Sequence, residues 1–301
     1  MKRSCRPQLV LGGSVPSIVA IALFWCAFAQ PSISYAQTSV DVVRPRIDLT
    51  PMTRLTTVVP LALVTPAMAQ NIGPGSHLLI EIPGAGTFGC TANFVWASGA
   101  TQYLGAAGHC FIPEGTTATH GPGADYDASG VQVSVCVSNC SFGGETGFVL
   151  TGDLVQLGAV AYARQTAADG DLGNDFGVVT IPAGLASLIR PSIPVFGGPT
   201  TVEEVAQGQP LCHYGNGVIV GETFLTMARI GVGAGSTPTY WMADLAAAPG
   251  DSGSAVVTCS LSVTHVGVAF GIPTGFVFGT TTARAIEMAG EAGLSLALVF
   301  P

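Results

Sequence analysis

One stretch of the chain places a serine between two glycines and directly after an acid, in the run Pro249-Gly250-Asp251-Ser252-Gly253. Glycine has no Cβ, so it lets the backbone turn tightly and lets a second molecule approach closely. Two N–H groups of such a turn, here those of Gly250 and Ser252, can point at one spot and stabilise a developing oxyanion. Ser252 is therefore a candidate nucleophile. In a chain with 40 glycines, the same pattern is also typical of a plain hairpin turn.

A nucleophilic serine needs a base, and His109 is the best candidate among the five histidines. It follows a run of apolar and small residues and directly precedes Cys110, for which Cys90 is a plausible disulfide partner. A histidine held beside a disulfide at the end of a strand is fixed in place, as a general base must be. A lone histidine is usually structural or solvated, and the other four in the chain are His77, His120, His213 and His265.

The candidate acid is Asp175, which directly precedes the apolar run 176–181. A partly buried aspartate at this position suits the orientation of an imidazole and the stabilisation of its cation. A turn aspartate is the alternative interpretation. Asp169 and Asp171 suggest a cation-binding loop, but the spacing expected of a calcium loop is incomplete. We therefore predict no metal site.

The three candidates occur in the order His109, Asp175, Ser252, with separations of 66 and 77 residues. This order differs from that of the α/β-hydrolases, in which the serine comes first in a G-x-S-x-G elbow. The run around Ser252 lacks that elbow pattern as well. The residues must instead be positioned by another scaffold.

The apolar pattern predicts β-structure almost throughout. Valines at 131, 133, 135 and 137 alternate with polar or small residues, which is the period-two signature of a strand. Only Thr282–Leu296 has a helical pattern. Prolines and glycines crowd residues 190–201, which favours two halves of similar size. The other predicted strands are His77–Ile82, Phe148–Leu150, Asp153–Leu157, Phe176–Ile181, Val218–Val220, Ala255–Cys259, His265–Phe270 and Phe276–Phe278.

The first 69 residues have the pattern of an export leader. A basic start precedes the apolar run 18–29, and small residues offer cleavage after Ala29 or Ala36. A second export-like segment begins at Met52 and ends at Ala69, so it is either a propeptide or the product of a true start at Met52. Both interpretations place the mature start near Gln70 and predict a secreted protein without membrane association after cleavage.

The mature part, residues 70–301, is strongly acidic. It holds four arginines and no lysine against sixteen acidic residues, a formal net charge of −12. Nucleic acid and anionic membranes both attract clustered cations, so neither is an expected partner. An even number of cysteines behind an export leader predicts three disulfides. They are Cys90, Cys110, Cys136, Cys140, Cys212 and Cys259.

Three motifs in this order resemble the chymotrypsin-like serine peptidases, nearest to bacterial secreted members such as the streptogrisins. The matching stretches are Ala106-Ala107-Gly108-His109-Cys110, Asn174-Asp175-Phe176-Gly177-Val178-Val179 and Pro249-Gly250-Asp251-Ser252-Gly253. The resemblance covers about residues 75 to 290. It implies an all-β fold of two antiparallel six-stranded β-barrels, 70–195 and 196–301, with the active site in the cleft between them and a short C-terminal helix.

The resemblance also implies the roles of these residues. Ser252 is the nucleophile, His109 the general base and then acid, Asp175 the group that holds His109, and the N–H groups of Gly250 and Ser252 form the oxyanion hole. No cofactor is implied. The implied disulfides are Cys90–Cys110 and Cys212–Cys259, which leaves Cys136 and Cys140 for a small local loop.

The chain departs from the family pattern around Asp251. In streptogrisin-like members the arginine of a Cys-Arg-Ser-Gly run pairs with the aspartate before the serine, whereas here that position is His213. We therefore predict that His213 contacts Asp251 and is held partly cationic. The second glycine of the usual Gly-Asp-Ser-Gly-Gly run is replaced by Ser254.

The residue at the base of the substrate pocket depends on the alignment register. Counting back without a gap places Ala246 there, which favours apolar side chains, whereas a two-residue insertion places Asp244 there, which favours Arg or Lys. The pocket wall is expected in Ala269-Phe270-Gly271.

The resemblance implies a secreted serine endopeptidase, a monomer that acts on polypeptides and is open to proteinaceous inhibitors. Two alternatives are a catalytically silent binding protein of the same fold and a serine esterase on the same scaffold.

Overall fold

The computed structural model describes residues 71–113, 115–142, 150–166, 172–219, 222–223, 227–258, 264–265, 270–271 and 276–301. The predicted leader and mature start lie outside the described residues, as do Cys259, Ala269, Asp169 and Asp171. Nearly all regular structure in the described residues is β-strand, and the predicted all-β class is confirmed.

The first half of the described chain consists of antiparallel strands that build two sheets. One sheet has the strand order β2-β1-β6-β7, and the other has the order β19-β3-β4-β9-β8-β5. Both sheets contribute to one apolar core that contains Leu78, Val133, Leu104 and Val179. The strands are β1 (His77–Ile82), β2 (Gly86–Thr91), β3 (Val95–Ser98), β4 (Thr101–Ala106), β5 (Ala118–His120), β6 (Gln132–Phe142), β7 (Leu150–Gln156), β8 (Val160–Gln165) and β9 (Asp175–Ile181).

The second half forms a sheet of the order β16-β15-β10-β13-β14-β18-β17, with the short pair β11-β12 beside it. Trp241, Leu211 and Val256 lie in its apolar core. The described strands thus form sheets of four, six, seven and two strands, consistent with the predicted all-β fold of two barrels. The strands are β10 (Pro210–Tyr214), β11 (Val218–Ile219), β12 (Glu222–Thr223), β13 (Ala228–Ser236), β14 (Tyr240–Asp244), β15 (Ala255–Thr258), β16 (Thr264–His265), β17 (Phe270–Gly271), β18 (Phe276–Thr280) and β19 (Ala297–Leu298).

The C-terminal segment returns to the first half. Helix α1 (Thr282–Glu291) is capped by the preceding residue, Thr281, whose hydroxyl accepts a hydrogen bond from the Arg284 N–H. It buries Ala285, Met288 and Ala289 in a core that also contains Trp96 and Phe176. After the helix, β19 pairs with β3. The C-terminal residues of the chain thus extend a sheet that its first half begins.

The predicted helix Thr282–Leu296 is correct in its start and too long at its end. The helix stops at Glu291, and Gly293 follows with φ of 79°. This is the left-handed conformation that glycine adopts readily at the end of a helix. Within the described residues, no helix has the length and apolar character needed to cross a membrane.

Candidate active site

Ser252 lies in the turn between β14 and β15, and this turn packs against the chain just before His109. Ser252 is half-buried, whereas Gly250, Asp251 and Gly253 are buried. Gly253 has φ of 88°, and a Cβ there would meet the backbone of Thr91 and Ala107. Only glycine fits this contact. The contact places the serine turn against Ala107, which lies two residues before His109 in the sequence.

The N–H groups of the serine turn fall into two sets. The Asp251 N–H donates to the Ala248 carbonyl (3.0 Å), and the Ser254 N–H donates to the Asp251 carbonyl (2.9 Å). The N–H groups of Gly250 and Ser252 donate to no other residue in the described part of the chain. Those two donors were predicted to form an oxyanion hole, and the turn leaves them available for a ligand.

The structure joins His109 to Asp175. His109 lies in a 3-10 turn, Gly108–Cys110, that follows β4, and Asp175 is the first residue of β9. Because β4 and β9 are antiparallel neighbours with Ala106 opposite Gly177, the end of one meets the start of the other. His109 Nδ1 lies 2.7 Å from Asp175 Oδ2, and the His109 backbone N–H donates to Asp175 Oδ1 (2.9 Å).

These two hydrogen bonds orient the imidazole and select its tautomer. A carboxylate only accepts hydrogen bonds, so the proton lies on Nδ1 and Nε2 is an acceptor. The two side chains are about one-fifth exposed, 22% for His109 and 19% for Asp175. The pair is therefore shielded and still reachable from solvent, as a general base requires.

The second half of the chain holds the backbone of Asp175. The Thr280 hydroxyl, at the end of β18, donates to the Asp175 carbonyl (3.0 Å) and accepts from the Asp175 N–H (3.3 Å). Thr280 was not singled out in the sequence, because a threonine at a strand end carries no signal of its own. Its two hydrogen bonds tie the acid to the half that carries Ser252.

A disulfide lies near both the serine turn and His109. Cys90 and Cys110 are bonded, the pairing that the resemblance implies. The Ser252 carbonyl oxygen lies 3.8 Å from Cys110 Sγ, and a ring nitrogen of His109 lies within 4.8 Å of both sulfurs. Both cysteines are oxidised, so they offer no thiolate to a metal. The disulfide instead contacts the serine turn and lies beside the histidine.

Asp251, next to the candidate nucleophile, forms a buried ion pair with Arg229. Arg229 Nη1 lies 2.6 Å from Oδ2, and Nη2 lies 2.7 Å from Oδ1. The Gly217 and Ala248 N–H groups donate to the same carboxylate at 2.7 and 2.8 Å. Four donors thus satisfy a side chain that is only 1% exposed. Burial by itself raises the pKa of Asp251, but its interactions with His213, with Arg229 and with the Ala248 N–H outweigh burial and hold that pKa below its usual value.

His213 was predicted to contact Asp251 and to be held partly cationic, and the structure instead gives Asp251 an ion pair with Arg229. His213 is fully buried, and this desolvation, together with the nearby charge of Arg229, lowers its pKa to about 3. The imidazole is therefore neutral near pH 7, and its Nε2 forms a hydrogen bond with the Ser254 hydroxyl (2.5 Å). The two departures from the family pattern, His213 and Ser254, contact each other.

The cation comes from the neighbouring strand. His213 on β10 lies directly opposite Arg229 on β13 in an antiparallel pair. Side chains of opposite residues project from the same face of a sheet, so either position can supply a charge to Asp251. The signal in the sequence was that Arg229 is one of only four arginines in residues 70–301.

The two candidates for the base of the predicted substrate pocket, Asp244 and Ala246, differ in their exposure. Asp244 ends β14 and is exposed, whereas Ala246 is half-buried and its carbonyl accepts a hydrogen bond from Arg229 Nη1 (3.2 Å). Phe270 and Gly271 form β17, opposite Phe278 and Val277 of β18. The choice between Asp244 and Ala246 at the pocket base stays a prediction.

The remaining predicted cysteines are placed as follows. Cys136 and Cys140 form a second disulfide. Cys212 is disulfide-bonded, and its predicted partner, Cys259, lies outside the described residues.

No protein-family model and no curated protein matches the sequence. Solved structures do match. Thermobifida fusca Protease A is 19% identical over 77% of this chain and 100% of its own, with a TM-score of 0.45. The thermostable serine protease AL20 from an extremophilic microorganism is 16% identical over 72% of this chain and 94% of its own, with a TM-score of 0.45. Nocardiopsis protease (NAPase) is 17% identical over 76% and 98%, with a TM-score of 0.42. These structures are bacterial serine proteases, the class that the three motifs resemble.

Removal of the Arg229 charge should destabilise the fold strongly. In Arg229→Met, the Asp251 carboxylate stays buried without its cation, and we expect the free energy of unfolding to fall by about 3–5 kcal/mol. Arg164→Met is the matched control, because the Arg164–Glu291 pair is accessible to solvent (28% and 51% exposed) and should contribute less than about 1 kcal/mol. Urea unfolding measures both variants. Equal losses in the two would contradict the assignment of Arg229 as the buried partner.

The buried histidines should make the protein less stable in acid. Burial lowers the pKa of His213 to about 3 and that of His77 to about 4, whereas an unfolded histidine titrates near 6.5. Between these values the unfolded chain binds protons that the folded chain does not. Stability is therefore complete above about pH 6.5 and falls as the pH drops, by up to about 1.4 kcal/mol per pH unit for each histidine.

Urea unfolding between pH 7.5 and 4.5 tests this pH dependence. In His213→Gln the free energy of unfolding should depend less steeply on pH, by the contribution of one bound proton. Glutamine does not titrate, and its amide can still bond to Ser254. An unchanged slope in this variant would show that His213 is not held neutral in the folded state.

Proposed function

We propose that the protein is an exported serine endopeptidase that hydrolyses peptide bonds through an acyl-enzyme intermediate. The observation that carries the proposal is the double hydrogen bond between His109 and Asp175, beside a turn that presents Ser252 and two unused N–H groups. Nucleophile, base, orienting acid and oxyanion donors are the four parts that serine-based acyl transfer needs.

In the proposed mechanism, Ser252 Oγ attacks the carbonyl carbon of the scissile peptide bond while His109 Nε2 takes the hydroxyl proton. Asp175 holds the ring and stabilises the imidazolium that forms. The Gly250 and Ser252 N–H groups donate to the oxyanion of the tetrahedral intermediate. His109 then gives the proton to the leaving amine, and the acyl-enzyme remains. A water molecule, deprotonated by His109, releases the acyl group and regenerates Ser252.

The chemistry of the chain supports an extracellular location. The described residues contain two disulfides, and such bonds persist in oxidising compartments. We propose that residues 1–69 are removed after export and that the mature enzyme is a monomer that acts on polypeptides. The proposed barrels are 70–195 and 196–301, with β19 as the segment that returns to the first.

Covalent labelling tests the proposal directly. The purified mature protein should react with a fluorophosphonate probe at Ser252, and Ser252→Ala should abolish the labelling. Ser129→Ala is the matched control, because Ser129 is exposed and hydrogen-bonds only to Asp127 among the described residues, so its loss should leave the labelling unchanged. Asp175→Asn should lower kcat for a peptide substrate by about 10⁴-fold, because it no longer selects the correct His109 tautomer.

The outcomes separate the three candidate functions. A folded wild-type protein that the probe does not label would identify a binding protein and defeat the proposal. Labelling with turnover of esters but not of peptides would identify an esterase. Cleavage of peptides by the wild type but not by Ser252→Ala supports the endopeptidase.

A further inference from the structure

We propose that Thr91 is a positioning residue for the oxyanion donors and that Asn216 directs its hydroxyl. This inference rests on the proposed function, since it concerns the same turn. Thr91 is the last residue of β2 and is fully buried. It contacts the serine turn from the first half of the chain, whereas Arg229 and Asp251 both belong to the second half. Nothing in the sequence pattern distinguishes it from other strand threonines.

Thr91 holds the serine turn at two carbonyls. Its backbone N–H donates to the Ser252 carbonyl (2.9 Å), and its hydroxyl donates to the Gly250 carbonyl (2.7 Å). The Gly250 carbonyl belongs to the peptide unit that follows the first oxyanion donor. Gly250 has φ of 100°, and a glycine in this region rotates with little steric restraint. The hydrogen bond from the Thr91 hydroxyl therefore restrains rotation of the Gly250–Asp251 peptide unit.

The direction of the Thr91 hydroxyl follows from its other contacts. Oγ1 lies 3.2 Å from the Asn216 backbone nitrogen and 3.2 Å from Asn216 Nδ2, both of which are donors. A hydroxyl has two acceptor lone pairs and one hydrogen. With both lone pairs engaged by Asn216, the single hydrogen is left for the Gly250 carbonyl. Asn216 thus converts a rotatable hydroxyl into a donor of fixed direction.

Asn216 is itself held on two further sides. Its Nδ2 also donates to the Gly75 carbonyl (2.9 Å), so both hydrogens of the side-chain amide are used. The backbone carbonyl oxygen of Asn216 lies 3.5 Å from His77 Nε2. The next residue, Gly217, donates its N–H to Asp251. Asn216 is 4% exposed, so water does not replace a lost partner. One short segment thus fixes both the Gly250 carbonyl and the Asp251 carboxylate.

Rigid donors matter because oxyanion stabilisation depends on groups that are already in place before the charge develops. Complete loss of one donor lowers kcat by about 10²–10³-fold in serine peptidases. Release of the Gly250–Asp251 peptide unit keeps the Gly250 N–H itself but frees the backbone directly after it, so that this donor can move. We therefore expect a smaller effect, about 10- to 100-fold, on kcat, with KM changed much less because the effect concerns the transition state.

The experiment compares Thr91→Val with Thr91→Ser. Valine has nearly the shape of threonine without the hydroxyl, whereas serine keeps the hydroxyl and loses the methyl group. We expect Thr91→Val to lower kcat about 10- to 100-fold and Thr91→Ser to restore it to within about threefold of the wild type. Thr101→Val, at an exposed position at the start of β4, is the control and should be unchanged.

A second measurement does not depend on turnover. In a Ser252→Ala background, amide hydrogen exchange across residues 249–253 should be faster in Thr91→Val than in Thr91→Ser, if the hydroxyl restrains the turn. Urea unfolding identifies any variant that has lost its fold, and the exchange comparison then rests on Asn216→Ala, which removes the side-chain donor to the hydroxyl and keeps the backbone donor.

Two results would overturn the inference. One is wild-type kcat and wild-type exchange in folded Thr91→Val, and the other is an equal defect in Thr91→Ser, which would assign the effect to the methyl group. Failure of the proposed function has a different signature, because the wild type would not be labelled at Ser252 while the exchange comparison would still report on Thr91.

Discussion

The ion pair between Arg229 and Asp251 is the interaction on which the candidate active site depends. Both charges are removed from water, and the transfer of unpaired charges into a protein interior costs several kcal/mol for each ion. The pair persists because the carboxylate accepts four hydrogen bonds, two from Arg229 and two from backbone N–H groups. Asp251 directly precedes Ser252, so the position of its side chain sets the course of the turn that carries the candidate nucleophile and the oxyanion donors.

Several contacts hold this turn against the first half of the chain. Thr91 binds two of its carbonyls, Gly253 packs against the segment before His109, and the Cys90–Cys110 disulfide contacts the Ser252 carbonyl. In the other direction, Thr280 holds the backbone of Asp175. Each half therefore stabilises residues that belong to the other. The site depends on both halves, and a defect in either is expected to disturb the geometry of Ser252 and His109 together.

The departures from the family pattern form one coupled set. The arginine expected after the cysteine of β10 is His213, and the second glycine after the serine is Ser254; these two side chains hydrogen-bond to each other. The cation is instead Arg229, which lies directly opposite His213 in the antiparallel pair of β10 and β13. An arginine stays charged over the whole physiological pH range, whereas a histidine buried here is neutral. Arg229 thus keeps a permanent positive charge beside the Asp251 carboxylate.

The sequence by itself determined the class of the fold and the three candidate residues. Alternating valines and apolar runs predict strands because side chains alternate between the two faces of a sheet, and His109 and Asp175 stand in local motifs that adjacent residues define. The tertiary structure decided which cation meets Asp251, how Thr280 holds Asp175, and that Thr91 and Asn216 contact the serine turn. These partners lie far apart in the chain and come together only through strand pairing and packing, which leave no local pattern. The serine between two glycines was visible in the sequence, but the groups that hold its turn in place were not.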